Sequence, residues 1–158
     1  MVTEIPRMAE ILMEKFWPGP LSIILPAKES IPVLVRGGKT TIGLRMPDHP
    51  VALALINKAG PLAAPSANIS GNPSPVTAEQ VKIDLEGRIA AIIDAGSTGI
   101  GLESTIIELS QGQRKILRIG GLSVEEIEEF LGEKVNLNTP ERRLQFSLNA
   151  FLRNHPVT

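Results

Sequence analysis

The spacing of apolar positions changes several times along the chain, and each change marks a short element. Residues 8–16 put Ile11, Leu12 and Phe16 on one helical face, and Pro18 and Gly19 end that helix. Residues 21–25, LSIIL, read as a strand that stops at Pro26. A turn-rich stretch over residues 29–40, with Gly37-Gly38, leads to a second strand over residues 40–46. Residues 51–58 form a short helix, with Asp48 as its expected cap and Pro50 in its first turn. Residues 62–64 read as a third strand. Thr77 then caps a helix, with Gln80 at the spacing of a capping box. Residues 90–93 form an apolar run of buried-strand type, followed by a flexible glycine loop over residues 96–101. Residues 104–109 and 115–119 pair as a hairpin turned at Gln111-Gly112. Ser123, with Glu126 three residues on, caps a last helix that runs to residue 131. From residue 133 the periodicity weakens, and the tail carries Arg142-Arg143 and Arg153 near His155. Strands and helices alternate, so the fold class is α/β, shading into α+β.

Composition narrows the chemistry. With 158 residues, 42% of them hydrophobic, the chain is long enough for one domain with a core. A formal net charge of -1 excludes a global basic field of the kind that binds nucleic acid non-specifically. The absence of cysteine excludes disulfides, thiolate catalysis and thiolate zinc sites. No apolar run reaches membrane-spanning length, and the first residues lack a basic region followed by an apolar core. These features lead to the expectation of a cytoplasmic protein that does not associate with membranes.

The densest chemistry lies in GPLAAPSANISGNPSPVT, residues 60–77. Ser66, Asn68, Ser70, Asn72 and Ser74 recur at every second position and no carboxylate interrupts them. Such a row of neutral donors and acceptors suits an anionic or polar ligand better than a metal, although the same groups also serve as turn and cap residues. Arg45 ends a strand in TIGLRMPDH, where its planar fork can clamp a carboxylate or phosphate or simply pair with Asp48. Ser104 and Thr105 start a strand just after the glycine loop, so that both hydroxyls can face a cleft or bond locally. Arg118, in LRIGG, adds a cation beside glycines that allow close approach.

Other signals carry less. The run 96–101 lacks the Gly-Lys-Ser/Thr ending of a phosphate-binding P-loop. His49 and His155 have no metal-ligand spacing, and Ser66 has no evident His and Asp partners for hydrolase chemistry. Trp17, in WPGPL, suits packing better than base stacking.

Five blocks in order, FWPGPLSIIL, TIGLRMPDH, APSANISGNPSPVT, ESTII and LRIGG, closely resemble the YrdC/Sua5 family of threonylcarbamoyl-AMP synthases over residues 8–131. The resemblance implies a twisted mixed sheet with flanking helices around a concave basic cavity. It implies a nucleotidyltransferase that joins L-threonine, bicarbonate and ATP into threonylcarbamoyl-adenylate with release of pyrophosphate, for tRNA modification. By this resemblance Thr41, Ser66, Ser74 and Arg118 contact the nucleotide, while Arg45, Ala64 and Ser104 hold threonine. Arg45, Ser66 and Asn68 form the catalytic set, with Asn68 completing a polar wall that the family builds with a lysine, an arginine and the loop serine. Mg²⁺ is expected on the ATP phosphates, carried mainly by substrate oxygens rather than by a protein metal site. Partners implied are the downstream tRNA-modification machinery, with tRNA or double-stranded RNA as a further ligand.

The chain departs from the family pattern in one respect. Family members carry a threonine-rich strand and a Lys-x-Arg element ahead of the WPGP block, and residues 1–16 hold neither. Residues 1–132 are therefore read as the C-terminal two-thirds of the domain, and residues 133–158 as a tail of unassigned role. On this reading the chain alone is weakly active or inactive, and its sheet exposes edges and apolar surface. Two alternatives stay open: a related domain that forms a different carbamoyl-adenylate, separated by threonine dependence, and a non-enzymatic RNA-binding or regulatory module.

Overall fold

The computed structural model describes residues 1–98, 102–110 and 112–137. Gly99 to Gly101 of the glycine loop, Gln111 of the hairpin turn, and the tail with Arg142, Arg143, Arg153 and His155 lie outside the described residues.

Two compact units divide the chain, Met1–Asp48 with Glu103–Thr158, and His49–Leu102. The first holds all the described strands. They form a mixed sheet in the order β2-β1-β3-β4-β5, with β1 Leu21–Pro26, β2 Thr41–Leu44, β3 Thr105–Glu108, β4 Lys115–Arg118 and β5 Asn136–Leu137. The centre of the sheet is a parallel pair, with Leu21 opposite Thr105 and Ile23 opposite Ile107. β2 flanks β1 and β4 flanks β3, both antiparallel.

Burial in β1 alternates without a break, as the period of two requires. Leu21, Ile23 and Leu25 are fully buried on one face, and Ile107 and Ile116 join them from β3 and β4. Helices α1 Arg7–Phe16 and α4 Val124–Leu131 supply Ala9, Leu12, Val124 and Ile127 to the same core. The two helices meet where Phe16 and Phe130 pack edge to face, ring centroids 5.4 Å apart. Trp17 packs against this core and its indole N–H donates to Leu21 O at 2.7 Å, a packing role as expected.

Local signals placed the helices well. Ser123 caps α4 through a capping box with Glu126, and Gly132 closes it in the left-handed conformation that glycine adopts without strain. Residues 133–137, read from sequence as part of the tail, bring Val135 into the core and add β5 beside β4.

The second unit contains α2 Pro50–Ala59 and α3 Ala78–Leu85, and none of its described residues is buried. Thr77 and Gln80 form the expected capping box on α3. Three expectations need correction. The cap of α2 is His49, not Asp48, because Pro50 occupies the first helical position. Residues 62–64 and 90–93 are not strands; an apolar run becomes a strand only where a ladder partner exists, and neither segment has one among the described residues. Ile89, Ile92 and Ile93 are accordingly exposed, not buried. In the first unit Leu34, 92% exposed, stands with Val33 and Val35 on an apolar turn. Among the described residues no helix is long and apolar enough to cross a membrane.

Two outcomes follow. Ile107→Ala removes a fully buried side chain from the central pair. It should cost about 2–5 kcal/mol of stability in chemical denaturation of the chain. The hydrogen bonds from the Ser123 side chain and then its backbone lower the pKa of Glu126. A depressed carboxyl stabilises the fold above its unfolded pKa and loses that contribution as pH falls through its folded pKa. Melting temperature should therefore fall as the pH is lowered through and below the usual carboxylate range, and Glu126→Gln should lose that part of the acid dependence.

Candidate active site

The face of the sheet that turns away from the helices carries the polar groups. Since Leu21, Ile23 and Leu25 face the core, Ser22 and Ile24 point the other way. Ile24 pairs with Gly43 across β2, so continued alternation brings Arg45, two residues on, to that same face. Ser104 precedes β3 by one residue and alternates with the buried Thr105.

Arg118 reaches this face by a different route. Ile107 pairs with Ile116 but Ile106 pairs with Arg118, so the register shifts and Leu117 is the extra residue of a β-bulge. Were residues 116–118 paired regularly, alternation from the buried Ile116 would turn Arg118 toward the core. With it, Arg118 Nε donates to Ser104 O at 3.0 Å, Nη2 to Ser104 Oγ at 3.1 Å, and Nη1 pairs with the Glu103 carboxylate.

Ser104 is 5% exposed as a residue, and its hydroxyl also lies 2.7 Å from Ser22 Oγ. Arg45 is held from the side: its Nε donates to Gly19 O at 2.9 Å, and Gly19 N donates to Met46 O. Among the described residues no ion pair joins Arg45 to Asp48. Burial first, and then the nearby Arg118 guanidinium, lower the pKa of Arg45. A guanidinium beside two hydroxyls, Arg118 with Ser104 and Ser22, is suited to an anion, and a second cation on the same face adds to the attraction.

Of the two readings open for the Ser104-Thr105 hydroxyls, Thr105 takes the local one. It is fully buried, and its Oγ1 donates to Leu122 O while accepting from Gly120 N at 2.9 Å and Leu122 N at 3.2 Å. The side chain thus fastens the loop after β4 to the start of β3. The loop approaches closely because residue 120 is glycine: a Cβ there would stand 2.1 Å from Glu103 O and 2.7 Å from Thr105 N.

Of the remaining expected residues, Thr41 belongs to the same unit as this cluster. Thr41 begins β2 opposite Pro26, whereas Arg45 follows the other end of that strand, about 13 Å away at the usual rise per residue. It lines a cleft of about 750 Å³ with Thr3, Arg36, Thr40 and Ser110.

Ala64, Ser66, Asn68 and Ser74 belong to the second unit, where Ala64, Ser66 and Ser74 are exposed. Asn68 Nδ2 donates to Ile69 O and Asn72 O, both at 2.9 Å, which leaves Oδ1 buried and without a partner. The loop is anchored by Asp84 of α3, whose carboxylate accepts from Ile69 N and from Asn72 Nδ2, each at 3.1 Å. A separate cleft of about 420 Å³ at the start of α3 contains none of the expected site residues.

Sequence reasoning missed Ser22 and Asp84. The place of Ser22 between buried Leu21 and Ile23 was the available signal for the first; nothing local singled out the second.

Residues 1–120 match the sequence profile of the Sua5/YciO/YrdC family, described as "Telomere recombination". The chain belongs to this family. The family's curated relatives include the threonylcarbamoyl-AMP synthases of Pyrococcus abyssi, 51% identical over 134 residues, and Bacillus subtilis, 52% identical over 129. Those matches take in 84% and 80% of this chain but 39% and 37% of the relatives, so the chain spans well under half of their length. Among solved structures, P. abyssi Sua5 complexed with L-threonine superposes with a TM-score of 0.84 at 49% identity, over 87% of this chain and 41% of that one. E. coli YciO superposes with a TM-score of 0.69 at 28% identity, over 78% of this chain and 61% of that one. The mixed α/β fold expected from sequence is therefore that of the Sua5/YciO/YrdC family.

Asp84→Ala tests how the serine-rich loop is held. The amide of Ile69 should exchange with solvent roughly tenfold faster, read by hydrogen exchange, with little change in the core amides of β1.

Proposed function

We propose that this chain carries the amino-acid site and part of the nucleotide site of a threonylcarbamoyl-AMP synthase. In this reading it serves the formation of threonylcarbamoyl-adenylate from L-threonine, bicarbonate and ATP, for tRNA modification. The observation that carries the reading is the Ser104 hydroxyl held against the Arg118 guanidinium, with Arg45 on the same sheet face by strand alternation. The names of the relatives and the threonine bound to P. abyssi Sua5 support it.

In this reading the threonine carboxylate meets Arg45 and Ser104, and the backbone at Ala64 adds a further contact. The threonine amine condenses with bicarbonate to a carbamate, releasing water. The carbamate oxygen then attacks the α-phosphate of ATP, and pyrophosphate leaves with the electrons of the broken P–O bond. No side chain becomes covalently attached, so the protein contributes by positioning and by aiming donors at growing negative charge. Arg118, Thr41, Ser66 and Ser74 contact the nucleotide. Asn68 Oδ1 retains an acceptor for an N–H or ammonium group.

Among the described residues no three His, Asp or Glu side chains stand together to hold a metal. In this reading Mg²⁺ enters with ATP, on the phosphate oxygens, as part of the substrate. The cytoplasm is the compartment in which this reading places the reaction, and tRNA and its modifying enzymes are the partners it implies.

Calorimetric titration with L-threonine is the direct test. The chain should bind threonine, and Arg45→Ala should weaken binding at least about tenfold, the loss expected when a charge-assisted carboxylate contact goes. A folded chain that takes up no threonine overturns the reading. Pyrophosphate release, with ATP, threonine and bicarbonate each omitted in turn, measures turnover. It should require all three.

A further inference from the structure

The contact between Ser22 and Ser104 bears on how the amino-acid site tells one kind of ligand atom from another. Their hydroxyl oxygens lie 2.7 Å apart, and either can donate. A serine hydroxyl has one proton to give and two lone pairs to receive. One lone pair of Ser104 Oγ already accepts from Arg118 Nη2 at 3.1 Å. If Ser104 donates to Ser22, its proton is spent inside the protein. If Ser22 donates to Ser104, both lone pairs are filled and the Ser104 proton is free to point at a ligand. In that second state Ser104 offers no lone pair to a ligand and can only donate.

We propose that Ser22 is a positioning residue that makes Ser104 an obligate hydrogen-bond donor to an acceptor oxygen of the amino-acid ligand, its carboxylate, while keeping the Arg118 guanidinium in place. The ligand named here rests on the function proposed above; the polarity of the Ser22–Ser104–Arg118 chain rests on its own geometry. Binding of an acceptor reverses the hydrogen bond between the two serines, and no backbone movement is needed because only two protons rotate. Ser22 is suited to this role by the sheet: it faces away from the core beside the Ser104 approach, on the parallel strand pair that fixes both backbones. Alanine at this position would leave Ser104 with an unfilled lone pair and a proton free to choose among partners.

The experiment combines ligand binding with a ligand-free measurement on the same full chain. Ser22→Ala, Ser22→Thr, Ser22→Cys, Ser104→Ala and the Ser22→Ala/Ser104→Ala pair are titrated with L-threonine, with melting temperatures recorded alongside. The side-chain N–H signals of Arg118 are read by NMR without ligand. Ser22→Ala should bind threonine about fivefold more weakly at near-unchanged melting temperature. Ser22→Thr, which keeps the hydroxyl, should restore binding, and Ser22→Cys, a weak donor of nearly the same shape, should not. The double variant should bind no more weakly than Ser104→Ala alone, because Ser22 acts through Ser104.

Without ligand, Ser22→Ala should speed the rotation and solvent exchange of the Arg118 guanidinium, and Ser22→Thr should not. Unchanged Arg118 signals in Ser22→Ala overturn the proposal whether or not threonine binds. Additive losses in the double variant overturn it too. Arg118 signals that respond as expected, in a chain that binds no threonine, overturn the amino-acid reading and leave the positioning role of Ser22 standing.

Discussion

The parallel pairing of β1 with β3 is the constraint on which the remainder rests. It sets Leu21, Ile23 and Leu25 beside Ile107 on one face, where α1 and α4 cover them. Given that burial, the polar residues between them have only one direction left. Ser22 and Ser104 meet because their buried neighbours, Leu21 and Thr105, are paired across the strands. Hydrophobic burial, worth about 1.5–3 kcal/mol for each large side chain, thus decides where the hydroxyls of the candidate site point. No separate force is needed to assemble them.

Arg118 is the exception, since alternation alone would send it inward. The extra residue at Leu117 reverses its direction at the cost of one irregular ladder step, and three hydrogen bonds to Glu103 and Ser104 then hold it. Thr105 and Gly120 keep the loop that follows in register with the start of β3. The bulge directs the arginine, while the buried threonine and the side-chain-free position hold the loop that follows it.

Much of this was legible in the residues, and the boundary of legibility is physical. The capping boxes at Thr77 and Ser123 are contained within four residues each, so sequence suffices to find them. The strand over LSIIL was readable because its alternation is complete and its end is marked by Pro26. Residues 62–64 and 90–93 were misread because pairing is a property of two segments, and an apolar run says nothing of its partner. The bulge at Leu117 and the anchoring of the Ser66–Asn72 loop by Asp84 were invisible for the same reason. Ser104 and Arg118, each singled out from the sequence, are in contact, but the Ser22 hydroxyl beside Ser104 looked like any polar residue facing solvent.

One consequence of the Arg118 contacts concerns preorganisation. A long cationic side chain immobilised only when a ligand arrives gives up about 0.5–1.5 kcal/mol of the binding free energy in lost rotamer freedom. Here Nε, Nη1 and Nη2 are each tied to Glu103 or Ser104 before any ligand is present, so that ordering is completed during folding. The strand irregularity that looks like a defect in the sheet therefore gives the site a rigid cation, and the stability of the domain and the readiness of the site become a single quantity.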